Sequence, residues 1–403
     1  SWPAGTPRWA GVPAGAIRPC VFAVTVQNDK VMKYVPRASG QMLKRMLRDF
    51  PVVLVYGPRQ CGKSTLVHAT CPGWTQLDLE RPADFDLLEA DLEGYLRSHP
   101  RRLVIDEAQR FPALFPALRH AVDTGRGAGR FVLTGSASPS LIRSVSESLA
   151  GRIGLLELTP FRMIELPKSS MKTTRWYWGG YPPVHSRRTH RSRLQWLDSY
   201  VSTFLERDLP SYGLRLPPPR LRRLWTMLTH VHGNLLNASD LARSLGVSPH
   251  TVDSDLDVLE QTFMVRRLRP YHVNIQKRLT RSPKMYLRDT GLLHFLAGLR
   301  QPKDLETWAR RGASFEGLVI EELIAHAADQ VVRPEPWFWR TQAGAEVDLL
   351  LAHGRRILPV EVKLGSAIGA RDVAGLKGCM ADLGLRRGIV VHGGTDLRTM
   401  GHG

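Results

Sequence analysis

The chain has 403 residues, 43% of them apolar and 23% charged, and its 56 Lys plus Arg outnumber 37 Asp plus Glu to leave a formal net charge of +19. That length predicts two to three domains, and the apolar fraction excludes a chain disordered throughout. No run of about 18 apolar residues is present, which excludes a helical membrane span. Val21 to Val26 is too short for the apolar region of a secretory signal, so a cytoplasmic location is expected. Cys20, Cys61, Cys71 and Cys379 match no zinc or disulfide spacing, which suits a reducing compartment. The surplus of positive charge predicts a polyanionic partner, and DNA before a membrane surface because no basic amphipathic anchor is visible.

Residues 1–33 are rich in Gly, Pro and small side chains and read as a poorly ordered extension. Met42, Leu43, Met46 and Leu47 recur at helical spacing. Pro51 to Tyr56, Leu103 to Ile105 and Phe131 to Leu133 are apolar on both faces, as strands buried in a parallel sheet are. With helices between them they predict an α/β domain over residues 34–165. Pro210 to Pro219 is a Pro-rich break inside a helical and basic segment, 166–300. Within it, Leu241 and Leu245 face inward, Gly246 ends a helix, and Ser248 caps the next, whose apolar stripe is Val252, Leu256 and Leu259. With Met264 to Leu268 as a strand, this is a winged-helix pattern. Residues 301–403 read as a separate α/β domain. Phe315, Leu318, Val319 and Leu323 line its helix, and its strands are Trp337 to Trp339, Glu346 to Leu351, Ile357 to Lys363 and Gly388 to Val391.

Chemistry enters at Gly57-Pro58-Arg59-Gln60-Cys61-Gly62-Lys63-Ser64, which fits G-x-x-x-x-G-K-[ST] between a buried strand and a helix starting near Thr65. Its backbone N–H groups would close around phosphates, Lys63 would pair with the β and γ phosphates, and Ser64 would ligate Mg²⁺. The strand Leu103 to Ile105 delivers Asp106 and Glu107 to the carboxyl end of the sheet, where Asp106 would hold Mg²⁺ and Glu107 would polarise water. Thr134 to Ser136 brings small polar groups to the same edge, as a γ-phosphate sensor or as a simple turn.

From about Tyr34 to His392 the sequence resembles the bacterial and archaeal AAA-type ATPases that carry a C-terminal domain of unknown function with a nuclease-like fold. The matching stretches are Gly57 to Leu66, Ile105 to Gln109, Leu133 to Ser136, Leu149 to Arg152, Gly179 to Pro182 and Leu205 to Leu209. The resemblance implies ATP rather than GTP, a homo-oligomer, and an Arg that reaches a neighbouring subunit's γ-phosphate. Arg152 is the candidate finger, with a local salt bridge as its competing role, and Arg207 is a weaker second. Cys61 stands where many relatives carry an aliphatic residue and would leave an oxidisable thiol at the site.

In the winged-helix segment, His250 and Thr251 would lie at the exposed start of a helix in a DNA groove. That helix also carries Asp253, Asp255, Asp257 and Glu260, which phosphates repel. Cations flank it: Arg187, Arg188, Arg191 and Arg193, then Arg220, Arg222 and Arg223, then Arg266, Arg267, Arg269, Lys277, Arg278 and Arg281. In the last domain, Asp348 followed by Glu361-x-Lys363 is similar to the PD-(D/E)XK nuclease pattern, with Glu316 in the place of its first acid. Alternation puts Glu361 and Lys363 on one strand face, and the carboxylates of Glu316, Asp348 and Glu361 with Lys363 could bind Mg²⁺ and orient a water for phosphodiester cleavage. Glu321, Glu322 and Glu346 are expected to be exposed, His353 to occupy a turn, and Trp337 and Trp339 to be core. The reading is thus a P-loop ATPase coupled to DNA binding and cleavage. Its alternative is a nucleotide-controlled protein scaffold with an inactive nuclease-like domain; a metabolic kinase is disfavoured by Glu107 beside Asp106.

Overall fold

A computed structural model describes residues 34–125, 127–136, 145, 147–167, 174–211, 217–271, 282–330 and 334–396. The extension expected at 1–33, with Cys20, and the cations Lys277, Arg278 and Arg281 lie outside the described residues. In strand β1 (Val52–Gly57) alternate side chains leave on opposite faces. Val52 and Leu54 join one apolar cluster, and Val53 and Val55 another. Because both clusters are buried, the strand has no polar face, and it sits inside a five-stranded parallel sheet. The sheet runs β2 (Thr75–Asp78), β3 (Leu103–Asp106), β4 (Phe131–Ser136), β1, β5 (Ile153–Glu157). The pairings β2 with β3, β3 with β4, and β4 and β5 with β1 are all parallel. Helices α1 (Ser39–Asp49) and α2 (Lys63–Thr70) supply Leu43, Leu66 and Val67 to one face. Helices α3 (Pro82–Ala90), α4 (Leu92–Ser98) and α5 (Leu114–Thr124) cover the other with Leu88, Leu96 and Leu118. All five carboxyl ends therefore open on one edge.

A helical layer follows, with α6 (His190–Thr203) running into a π-helical turn, Phe204–Asp208, and then α7 (Pro218–Val231), α8 (Ala238–Leu245) and α9 (Pro249–Gln261). Asn237 caps α8 and Ser248 accepts from the Thr251 N–H to cap α9, each cap stabilising by about 1 kcal/mol. The stripe Val252, Leu256 and Leu259 is buried as its spacing predicts. The helix–turn–helix leads to an antiparallel pair, β6 (Val265–Pro270) and β7 (Lys284–Leu287). Helix α10 (Thr290–Leu296) closes this layer, capped by Asp289. Gly179 is in the left-handed region, φ 74°, and a Cβ there would sit 2.1 Å from the Asp289 carboxylate, so the Gly-Gly-Tyr-Pro motif is a close packing device.

Strand β6 also pairs in parallel with β8 (Glu335–Arg340), which joins the pair to a mixed six-stranded sheet of order β11-β10-β9-β8-β6-β7. Here β9 is Glu346–His353, β10 Arg356–Lys363 and β11 Ile389–His392. Helix α11 (Arg311–Gln330) packs Ile320 against Phe338, Leu349 and Val360. On the opposite face, α12 (Ala374–Leu383) packs Leu376 and Cys379 against Trp339 and Val347. The last sheet thus takes strands from before and after residue 300. His353 is the exposed last residue of β9 rather than a turn residue.

Candidate functional site: the phosphate loop and a carboxylate centre

The loop between β1 and α2 bends through two left-handed residues, Gln60 at φ 58° and Gly62 at φ 99°. A Cβ on Gly57 would lie 2.2 Å from the Leu158 carbonyl oxygen, so only glycine lets the loop pass that close to the chain leaving β5. Lys63 opens α2, is buried, and donates to the carbonyls of Gly57 and Pro58 at 3.3 and 3.1 Å. Ser64 and Thr65 are exposed at the helix start, where unpaired backbone N–H groups favour an anion. Asp106 ends β3 beside them. It accepts hydrogen bonds from Ser64, from the Thr134 hydroxyl and from the Glu107 N–H, the last at 3.0 Å. Burial raises its pKa, and the Ser64 hydrogen bond opposes that shift. Glu107 adopts φ 54° and accepts from the Gln109 amide. This set fits a triphosphate with Mg²⁺: a glycine-lined turn, an ammonium over the turn, and a hydroxyl already joined to a carboxylate.

The rest of the loop is held from outside the sheet. Arg59 pairs with the buried Asp208 of the π-helical turn and lies 3.6 Å from Glu80. Trp196 of α6 donates to the Gln60 amide oxygen at 3.2 Å. Arg37 donates to the Cys61 carbonyl at 2.9 Å and pairs with Glu165 at 3.0 Å. The Cys61 thiol points into the core and bonds to the Leu158 carbonyl, and burial pushes its pKa up. The expectation of an oxidisable thiol is thereby corrected, because a thiolate is disfavoured in an apolar setting. Arg152 precedes β5, at the sheet edge opposite the phosphate loop, and makes the local pair with Asp123 at 2.6 Å. Arg207 is exposed, and it is Arg59 that takes Asp208.

The cations expected to face DNA are partly used internally. Arg267 pairs with Asp257 and Glu260 of α9 at 2.5 and 2.6 Å, which offsets part of that helix's acidity. Arg266 pairs with Glu321, and Arg187 and Arg193 stack over Trp196 and Trp178. Arg188, Arg191, Arg223 and Arg269 are exposed. Asp255 is buried, and burial raises its pKa to about 6.

The fold does gather Glu316, Asp348, Glu361 and Lys363, but around a group the sequence reading missed. Lys284 of β7, only 2% exposed, places its ammonium 3.1 Å from Glu316 and 3.3 Å from Asp348, and also pairs with Glu346. Burial works against this charge, yet Glu316, Tyr286, Asp348 and Glu346 together hold its pKa well above the usual lysine range. Tyr286 donates to Glu316. Asp348 accepts from the Val362 N–H at 2.9 Å, and Lys363 donates to Glu361 at 2.5 Å. Burial first, then neighbouring Asp348, raises Glu361 to about 7; burial also raises Glu316 to about 7. The expected exposure of the neighbouring acids is corrected as well. Glu321 is buried between Arg266 and Arg288, Glu322 accepts from the Met163 N–H, and Glu346 belongs to the cluster. A lysine opening the short strand Lys284–Leu287 was the available signal for this centre. Among the described residues, no group of three or more His, Cys, Asp or Glu is arranged to hold a metal ion, and no helix is long and apolar enough to cross a membrane.

Residues 49–166 match the AAA domain family, which agrees with the parallel sheet and the loop. Residues 172–303 and 311–402 match two domains of unknown function, DUF8612 and DUF4143. Among solved structures, the Walker-type ATPase paby2304 of Pyrococcus abyssi aligns over 65% of this chain and 96% of its own, at 14% identity and TM-score 0.47. RuvB of Thermotoga maritima aligns over 56% and 87%, at 20% identity and TM-score 0.30. The uncharacterized proteins Mb2031c of Mycobacterium bovis and Rv2008c of Mycobacterium tuberculosis are each 42% identical over 362 residues, 89% of this chain and 80% of theirs. The chain therefore belongs to the family of these mycobacterial proteins, with an AAA P-loop domain at its head.

Proposed function

We propose that the protein binds ATP with Mg²⁺ at the 57–65 loop and hydrolyses it, and that the nucleotide state is passed to the C-terminal half as a switch. The observation that carries the ATPase reading is the convergence of Lys63, Ser64, Asp106 and Glu107 on one sheet edge. Bound Mg²⁺ would supply charge neutralisation of the phosphates, with Ser64 and Asp106 as its protein partners. Lys63 turns from the Gly57 and Pro58 carbonyls to the phosphates. Glu107 accepts a proton from the attacking water once it leaves Gln109, and Thr134 keeps Asp106 oriented. The switch reading is supported by the hold of Asp208 on Arg59 and of Trp196 on Gln60, since phosphates entering the loop compete for the same side chains.

A second reading, contact with DNA, is favoured by the net charge of +19 and the exposure of Arg188, Arg191 and Arg223. One assay separates the two: Mg²⁺-dependent ATP turnover of wild type, Lys63→Ala and Glu107→Gln, with and without DNA at two salt concentrations. Lys63→Ala is expected to lose ATP binding, and Glu107→Gln to keep it while turnover falls about 10²–10⁴-fold. Wild-type turnover in both variants would refute the assignment. Stimulation by DNA that fades with salt selects the DNA reading, because phosphate contacts weaken steeply with ionic strength.

A further inference from the structure

The resemblance to nucleases implies a divalent ion among Glu316, Asp348 and Glu361, and the residues present do not fit one. We propose that Lys284 is the resident cation of this centre, that its ammonium stands where a divalent ion would sit, and that the native domain takes up no metal there.

Three observations support this. The ammonium already contacts carboxylates from three positions on two elements, Glu316 on α11 and Glu346 and Asp348 on β9. Two of those carboxylates have both oxygens engaged, since Asp348 gives its second oxygen to the Val362 N–H and Glu346 gives its second to Arg340 at 2.7 Å, while Glu316 takes Tyr286 and Lys284 on the same oxygen, Oε1. Lys284 is itself enclosed, at 2% exposure, with its backbone paired to Leu268 in the sheet, so it cannot swing out to solvent as a surface lysine would. A fully buried oxygen of the cluster stays unpartnered: Oε2 of Glu361, a residue only 5% exposed. Four carboxylates thus face two ammoniums, Lys284 and Lys363. Removing Lys284 would leave a buried acidic pocket with an unused oxygen, which is the donor set a hard divalent cation takes.

The consequence reverses the usual test of such a centre. Substituting an acid should abolish no metal-dependent activity, whereas substituting the lysine should create a metal site. The assay is titration of the nucleotide-free full chain with MnCl₂, read by the loss of free Mn²⁺ signal in electron paramagnetic resonance. Wild type, Asp348→Asn and Lys284→Arg are expected to bind no Mn²⁺ at this centre. Lys284→Ala is expected to gain a site at least about tenfold tighter than any in wild type, the factor that corresponds to about one pKa unit of charge interaction. The double variant Lys284→Ala with Asp348→Asn is expected to lose it again. Wild-type binding of Mn²⁺ that Asp348→Asn removes would overturn the proposal, and that arm needs no lysine variant to fold. Failure of a folded Lys284→Ala to gain Mn²⁺ would overturn it too. Neither arm involves nucleotide, so the outcome is independent of the ATPase assignment.

Discussion

At Lys63 the ammonium rests on two neutral carbonyls that incoming phosphates can replace, whereas at Lys284 it is enclosed by carboxylates that nothing in solution displaces cheaply. The contrast explains why one lysine is read as a ligand-binding group and the other as a fixed counter-ion. Cys61 shows the same dependence on surroundings. Although it belongs to the phosphate loop, its sulfur is fully buried and turned to the Leu158 carbonyl. Iodoacetamide should therefore leave Cys61 unmodified in the native protein and modify it after unfolding. Peptide mass spectrometry that finds native labelling of Cys61 would contradict the placement. The loop residues were legible from sequence because their spacing is set by local backbone geometry. Lys284 was not, because its partners lie 32 to 64 positions away and only the folded sheet brings them together.

Among the elements, those with a strong period were readable. The apolar runs of β1, β3 and β4 and the stripe of α9 have the burial their patterns predict. Strand β2 was missed, since Thr75-Gln-Leu-Asp78 buries one side chain fully, and so was β5, an edge strand whose Leu155 is exposed. Helix α10 carries a titration signature. His294 is enclosed, bonding to the Tyr177 carbonyl at 2.9 Å and to Ser314 at 2.7 Å, and burial lowers its pKa to about 4. The unfolded chain protonates this ring near pH 6.5. Between pH 6.5 and about 4 the unfolded state therefore binds the extra proton, and the stability due to a neutral His294 is lost as pH falls. Urea unfolding of His294→Asn should show a pH slope in this window shallower than that of wild type by up to about 1.4 kcal/mol per pH unit. Glu316 and Glu361, raised to about 7, contribute to both proteins and cancel in the comparison, and His232, lowered to about 3 chiefly by burial, does so apart from the part of its shift that the charge of His294 supplies. An unchanged slope would contradict the buried neutral imidazole.

At the scale of the molecule, partly buried ion pairs tie the ATPase sheet to the later segments. Arg288 joins Glu157 at the end of β5 to Glu321 of α11, and Arg266 of β6 completes the network on Glu321. These two guanidiniums outweigh the burial of Glu321 and lower its pKa to about 2. Removing a partner from the buried part, Glu321 with Arg266 and Arg288, costs about 3–5 kcal/mol, whereas the half-exposed Glu157 pair that reaches β5 contributes about 0–1 kcal/mol. A division of the chain at residue 300 was natural from the change in pattern there, yet β6 and β7 belong to the last sheet and Lys284 to its carboxylate centre. Sequence pattern reports local period and cannot report that a strand pairs across such a boundary.

Nucleotide in the phosphate loop is expected to alter the grip of the helical layer. Hydrogen–deuterium exchange of Glu107→Gln, with and without ATP and Mg²⁺, tests it most directly. Exchange should change both in the loop and in residues 196–211, as Asp208 and Trp196 give up Arg59 and Gln60. ATP bound, with the loop protected and residues 196–211 unaltered, would contradict it.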